Sequence, residues 1–171
     1  EDRCEEIGLK LNPFLVMGHS LGEYTALIIS GAMDFETALA LVKKRATYMS
    51  EAGKSYKDAG LMSIISRGRE IKPRDIEALC KQYEIYIALN NTQHQIVVGG
   101  SGKSLDALSE KLKKEGVITK RVSVEGPFHT PFIEGSAEKF QKELEKAKII
   151  NKIKFTMFLR DSLDQFFKLP K

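Results

Sequence analysis

The 171-residue chain has no tryptophan, two cysteines, three histidines and five prolines, and each scarcity excludes something. Cys4 and Cys80 stand alone and fit neither a disulfide framework nor a closely spaced redox pair, which points to a reducing compartment. Two isolated thiols and three unclustered histidines give no ligand spacing, so no metal is expected. No apolar run approaches the roughly 20 residues of a membrane helix, and no leader-like segment opens the chain, so no membrane role is expected. Basic residues number 27 against 23 acidic ones. They form no stripe interleaved with aromatics, so nucleic acid is not an expected partner. What remains, 42% hydrophobic and 29% charged residues, suits a soluble globular protein with one ordinary core or two small subdomains.

Against that plain background one stretch carries chemistry. Phe14-Leu15-Val16-Met17 reads as a strand, Gly18-His19-Ser20-Leu21-Gly22 follows at once, and Leu21 to Ser30 reads as a helix. Strand, Gly-x-Ser-x-Gly, helix is the order of a nucleophile elbow. The two glycines are expected to admit a strained turn where a Cβ would strike neighbouring backbone. The helix N-terminus behind it offers N–H groups to a developing oxyanion. Ser20 is therefore the candidate nucleophile, and the Leu21 N–H the candidate oxyanion donor.

Beyond the motif, Asp34 reads as the N-cap of a second helix that Gly53 stops. At 100° per residue that helix carries Phe35, Ala38, Leu41, Val42, Arg45 and Met49 along one arc, with Lys43 and Lys44 outside it. An arginine within an apolar stripe needs an anion, because an unpaired buried charge is prohibitive. That anion is either an internal carboxylate or a substrate carboxylate, for which the guanidinium fork is suited.

From Leu61 the pattern changes to strand (61–66), helix from Pro73, strand (85–89), strand (95–98), a helix capped by Ser101 and ended by Gly116, and strand (117–124). This β-α-β-β-α-β order is that of a ferredoxin-like subdomain. Ile153, Phe155, Met157 and Leu159 alternate as in a strand, and residues 161–171 read as a short amphipathic tail. Three histidines compete as base. His19 adjoins Ser20 and reads as a turn-shaping residue. His94 sits in an Asn90–His94 turn and reads as a solvated loop residue. His129 lies between Pro127 and Pro131 in a stiff loop just past the insert, the kind of position where catalytic groups sit. Asp58, Asp75 and Asp106 fall between serine and histidine, but Asp75 and Asp106 sit in first turns of helices, where an acid simply suits the dipole.

The longer string Gly18-His19-Ser20-Leu21-Gly22-Glu23-Tyr24 is far more specific. Gly31-Ala32, Arg45, Asn91, Gln95 to Gly100, and Pro127-Phe128-His129 follow in order. Together they resemble malonyl-CoA:acyl carrier protein transacylases and the acyltransferase domains of fatty acid and polyketide synthases, over roughly residues 8 to 150. The resemblance implies an α/β fold: a partial α/β-hydrolase-like domain (1–58 and 126–171) with a ferredoxin-like subdomain (59–125) inserted. The larger domain reads as cut at both ends, without the family's N-terminal Gln-Gly segment and its later Asn-rich turn.

The same resemblance implies a Ser20–His129 dyad, with backbone carbonyls orienting the histidine, and Arg45 on the free carboxylate of malonate. Met49, Asn91 and Phe128 match pocket positions, and Phe128 resembles malonyl-selective members. The implied reaction is malonyl transfer from coenzyme A to acyl carrier protein through an acyl-serine, in fatty acid biosynthesis. It uses no bound cofactor, since coenzyme A enters as a thioester substrate, and the mild positive charge favours such anionic partners. The setting is cytoplasmic, or a mitochondrial or plastid matrix in a eukaryote. Two other readings stand beside it: a truncated, inactive relative, and a serine thioesterase or hydrolase, which explains neither Arg45 nor the insert.

Overall fold

Capping residues and apolar periodicity set the order of elements in the computed structural model, which describes residues 6–9, 14–68, 70–148 and 156–158. The elements are β1 (Leu15–Met17), α1 (Gly22–Ile29), α2 (Phe35–Lys54), β2 (Ala59–Ile65), α3 (Pro73–Tyr83), β3 (Tyr86–Thr92), β4 (Gln95–Ser101), α4 (Gly102–Lys114) and β5 (Ile118–Val122). A 3₁₀ turn (Pro131–Ile133), α5 (Glu134–Lys146) and β6 (Thr156–Phe158) complete this mixed α/β chain. It divides into two compact units, residues 1–44 with 141–171, and residues 45–140, so one boundary falls inside α2. The second unit contains the whole 59–125 segment. The tail at 161–171 lies outside the described residues, as do Ile153, Phe155 and Leu159. No described helix is long and apolar enough to cross a membrane.

In the first unit β1 and β6 pair in parallel, Val16 opposite Met157. Helix α1 ends in a Schellman motif: the Gly31 N–H reaches the Ile28 carbonyl at 2.9 Å and the Ala32 N–H the Leu27 carbonyl at 3.0 Å. Asp34 caps α2 as expected, accepting from the Thr37 N–H at 2.7 Å and the Thr37 hydroxyl at 3.0 Å. Those bonds favour its charged form and hold its pKa below the ordinary 3.8. On the α2 arc Ala38, Leu41 and Met49 are buried, whereas Phe35, expected with them, is 59% exposed. The helix has barely begun at Phe35, so periodicity there carries little packing.

The second unit is built on a four-stranded antiparallel sheet of order β3-β4-β2-β5. Met62 lies opposite Val98, and Ile64 opposite Ile96. These side chains share a core with Ile76 and Cys80 of α3, Ile85, and Leu105, Leu108 and Leu112 of α4. The side-chain alternation of a strand sends Leu61, Ser63 and Val97 to the other face, where they are buried too. Ser101 caps α4 through the Ser104 N–H at 3.1 Å. Glu84, at φ +54°, ends α3 in the left-handed conformation usually given to glycine.

Two expectations change. Asn90 to Thr92 lie in strand β3, leaving only Gln93 and His94 as the hairpin turn, with register shifts on the way. Gly53 does not stop α2, which runs on to Lys54. Its lack of a side chain serves packing, as described below.

Burial pushes the Cys80 thiol up from 9.0 to about 11, with the Glu77 charge adding to the shift. The neutral thiol is the form the fold favours. Its contribution to stability is therefore complete below pH 9.0 and is lost as pH rises toward 11. Alkylation of Cys80 at pH 7.5, mapped by peptide mass, should run at least about tenfold slower than in denaturant, since the thiolate is the nucleophile. An equal rate in both would contradict its burial.

Candidate active site

Ser20 sits at the joint between β1 and α1 with φ +52°, in the left-handed region that side chains other than Asn and Asp rarely enter. Such a residue costs of order 1–3 kcal/mol and persists only where its surroundings over-determine it. The turn supplies that. The N–H groups of Gly22, Glu23 and Tyr24 donate to the carbonyls of His19, Ser20 and Leu21 at 2.9, 3.3 and 3.2 Å. Gly18 lies so close under the start of α1 that a Cβ there would stand 2.1 Å from the carbonyl carbon and oxygen of Gly22. Gly22 is different, since nothing lies within 4 Å of a Cβ added to it. The expectation that both glycines are needed for room therefore holds for Gly18 alone. The amide of Leu21 stands at the N-cap of α1 and finds no acceptor among the described residues. Its side chain is exposed.

Glu23, part of the motif, is a first-turn carboxylate of α1 that the fold buries to 3% exposure and does not leave unpaired.

His129 is the counterpart of Ser20 in the second unit, partly buried and also left-handed, at φ +60°. Its loop is tightly tied. The Phe128 N–H donates to the Gly126 carbonyl at 2.9 Å, the Thr130 hydroxyl donates to the Pro127 carbonyl, and the Ile133 N–H returns to the Thr130 carbonyl at 3.2 Å. Pro127 and Thr130 are buried. Thr130 Cγ2 would lie 2.6 Å from a Cβ on Gly99, so the loop rests on the β4 face that carries Val97. Outside glycine, the described residues at positive φ are Ser20, His129 and the helix-ending Glu84. Sequence motif and backbone strain thus single out the same two residues.

Arg45 and Met49 stand one turn apart on α2, Arg45 partly buried and Met49 7% exposed. Lys43 and Lys44 are exposed. Asn91 is partly buried on β3 at the register shift between Asn90 and Thr92, and such irregularities re-aim side chains. Phe128 packs its ring edge toward α2, 3.6 Å from where a methyl on Gly53 would be. Of the acids weighed as partners, Asp106 is spent on Arg121 at 2.7 Å, and Asp58 and Asp75 are exposed. His94 is exposed in its hairpin turn, and His19 is exposed before Ser20. A cavity of about 770 Å³ between α3, β3 and the start of α4, lined by Cys80, Ile85, Tyr86 and Phe132 among others, contains none of the site residues. A neutral, buried thiol gives that hollow no nucleophile.

Residues 4–165 match the family model described as acyl transferase domain. A malonyl CoA-acyl carrier protein transacylase of Bacillus subtilis is 32% identical over 152 residues, covering 86% of this chain and 46% of the relative. The polyketide biosynthesis protein PksE of the same organism is 32% identical over 148 residues, covering 84% and 18%. The solved malonyl CoA-acyl carrier protein transacylase of Coxiella burnetii superposes with a TM-score of 0.79 at 32% identity, over 91% of this chain and 49% of that one. The chain thus spans less than half the length of each of these relatives. A match that runs from residue 4 to residue 165, nearly end to end, means that the chain belongs to the acyl transferase domain family.

Proposed function

We propose that this chain carries the nucleophile, base and carboxylate-reading parts of a malonyl-CoA:acyl carrier protein transacylase. The observation that carries the reading is Ser20 held at φ +52° between a strand and a helix N-terminus, which is what a nucleophile elbow requires. On this reading His129 takes the Ser20 proton as Oγ attacks the malonyl thioester carbonyl. The Leu21 N–H steadies the oxyanion, and collapse expels the coenzyme A thiolate, which takes the proton back from His129. Arg45 holds the distal carboxylate, Met49 and Asn91 line the acyl pocket, and Phe128 limits donors with bulk on the α carbon. The phosphopantetheine thiol of acyl carrier protein then attacks the acyl-serine and restores the hydroxyl. No metal or redox group enters these steps. The four-stranded layer, with its β-α-β-β-α-β order, serves as the ferredoxin-like insert of an α/β-hydrolase-like frame.

Relatives named malonyl CoA-acyl carrier protein transacylase and a polyketide biosynthesis protein both match the chain. We assign the fatty acid setting, which transfer to a free-standing acyl carrier protein in preference to a polyketide carrier domain would support. The direct test is intact-protein mass spectrometry after brief incubation with malonyl-CoA, beside Ser20→Ala. A malonyl adduct on the parent chain, absent from the variant, is expected. A folded chain without an adduct would favour the second reading, a non-catalytic relative. One observation favours that alternative: Met17 of β1 and Phe14 just before it are 62% and 87% exposed.

A further inference from the structure

Within the second unit, α2 and the His129 loop meet through two glycines. Gly53 and Gly126 are both buried. A Cβ on Gly126 would stand 3.0 Å from Gly53 Cα and 3.4 Å from Phe128 Cε1. A Cβ on Gly53 would stand 3.3 Å from the Glu125 carbonyl oxygen and 3.5 Å from Gly126 Cα. Backbone therefore lies on backbone: a methyl on Gly126 would push its neighbours aside by a few tenths of an ångström, and one on Gly53 by less. Beside the contact, the Ser50 hydroxyl donates to the Glu125 carboxylate at 3.3 Å. His129 follows Gly126 by three residues, in the left-handed conformation that its surroundings must impose.

We infer that the Gly53–Gly126 contact is a positioning device for His129, fixing its strained backbone to the helix that carries Arg45 and Met49. Arg45, Met49 and Gly53 recur every fourth residue, so they follow one side of α2. The helix thus sets both the carboxylate reader and, through Gly53, the seat of the loop that bears the base. Neither glycine touches substrate. Both act through His129, and the inference rests on the reading of His129 as the base.

The test uses Gly126→Ala and the milder Gly53→Ala, with Gly135→Ala as control because nothing lies within 4 Å of a Cβ there. Thermal melts establish that each variant folds. Two readouts follow. Cross-correlated relaxation in isotope-labelled protein reports the sign of φ at His129 whether or not the chain is active. Ser20 acylation by malonyl-CoA gives kcat and KM. Gly126→Ala, which shifts its neighbours by a few tenths of an ångström, is expected to abolish the positive φ and lower kcat about 10-fold at unchanged KM, less than the roughly 100-fold of a full 1 Å misplacement. Gly53→Ala should do the same more weakly, and Gly135→Ala neither. Retention of positive φ in Gly126→Ala would overturn the inference, as would its loss without a fall in kcat. A parent chain that forms no acyl-serine would instead refute the functional reading, while the φ measurement still decides whether the contact holds the loop.

Discussion

Gly18→Ala should abolish acylation of Ser20 and lower Tm by about 10 °C, while Gly22→Ala should keep both. The difference is steric. The added methyl at position 18 would fall 2.1 Å from the Gly22 carbonyl and 2.3 Å from the Glu23 nitrogen. These are backbone atoms that open α1, so no side-chain rotation relieves the clash. Either α1 moves away from β1 or the turn unwinds, and in both cases Ser20 leaves the left-handed conformation that projects its hydroxyl. A loss of about 3 kcal/mol is the scale for forced overpacking without a side-chain escape, and for a chain of this length about 3 °C accompanies each kcal/mol. At position 22 the methyl enters open space on the first helical residue, where alanine outranks glycine as a helix former. Differential scanning calorimetry and adduct mass spectrometry read the two effects separately. Equal damage from the two substitutions would mean that the turn is not held by the packing of Gly18 under α1.

That asymmetry marks where sequence reading reached its limit. A Gly-x-Ser-x-Gly pattern announces a tight turn, but it cannot say which glycine is pressed against backbone and which is merely first in a helix. Helices were legible wherever a cap and an apolar face coincided, as at Asp34 and Ser101, because both signals are local. The Asn90–Thr92 segment was misread because Asn-Asn-Thr is turn chemistry, whereas pairing with Gln95 and Ile96 keeps it in the sheet. Gly53 was misread for the opposite reason. Its cause is 73 residues away at Gly126, and no local pattern encodes that contact. The buried state of Glu23 escaped notice because a first-turn acid is ordinarily explained by the helix dipole. Local chemistry was readable, and long-range seating was not.

Arg45→Ala should slow malonyl acylation of Ser20 about 100-fold and leave acylation by acetyl-CoA unchanged or faster. Arg45 is partly buried on the arc of α2 that buries Ala38, Leu41 and Met49, while Lys43 and Lys44 on the other side are exposed. It stands eight residues, about 12 Å along a helix axis, from the Gly53 seat of the His129 loop. A guanidinium there offers paired N–H donors to a planar anion. Malonyl and acetyl donors differ by that anion alone. Truncating one partner of a half-desolvated charge pair costs about 3 kcal/mol, which is about 100-fold, and only the donor with a carboxylate pays it. Arg45→Lys, keeping the charge but not the fork, should recover part of the malonyl rate. An internal ion pair predicts another pattern, in which both donors slow together and Tm falls with them. The ratio of malonyl to acetyl acylation in the three proteins therefore separates a reader of substrate from a brace of the fold.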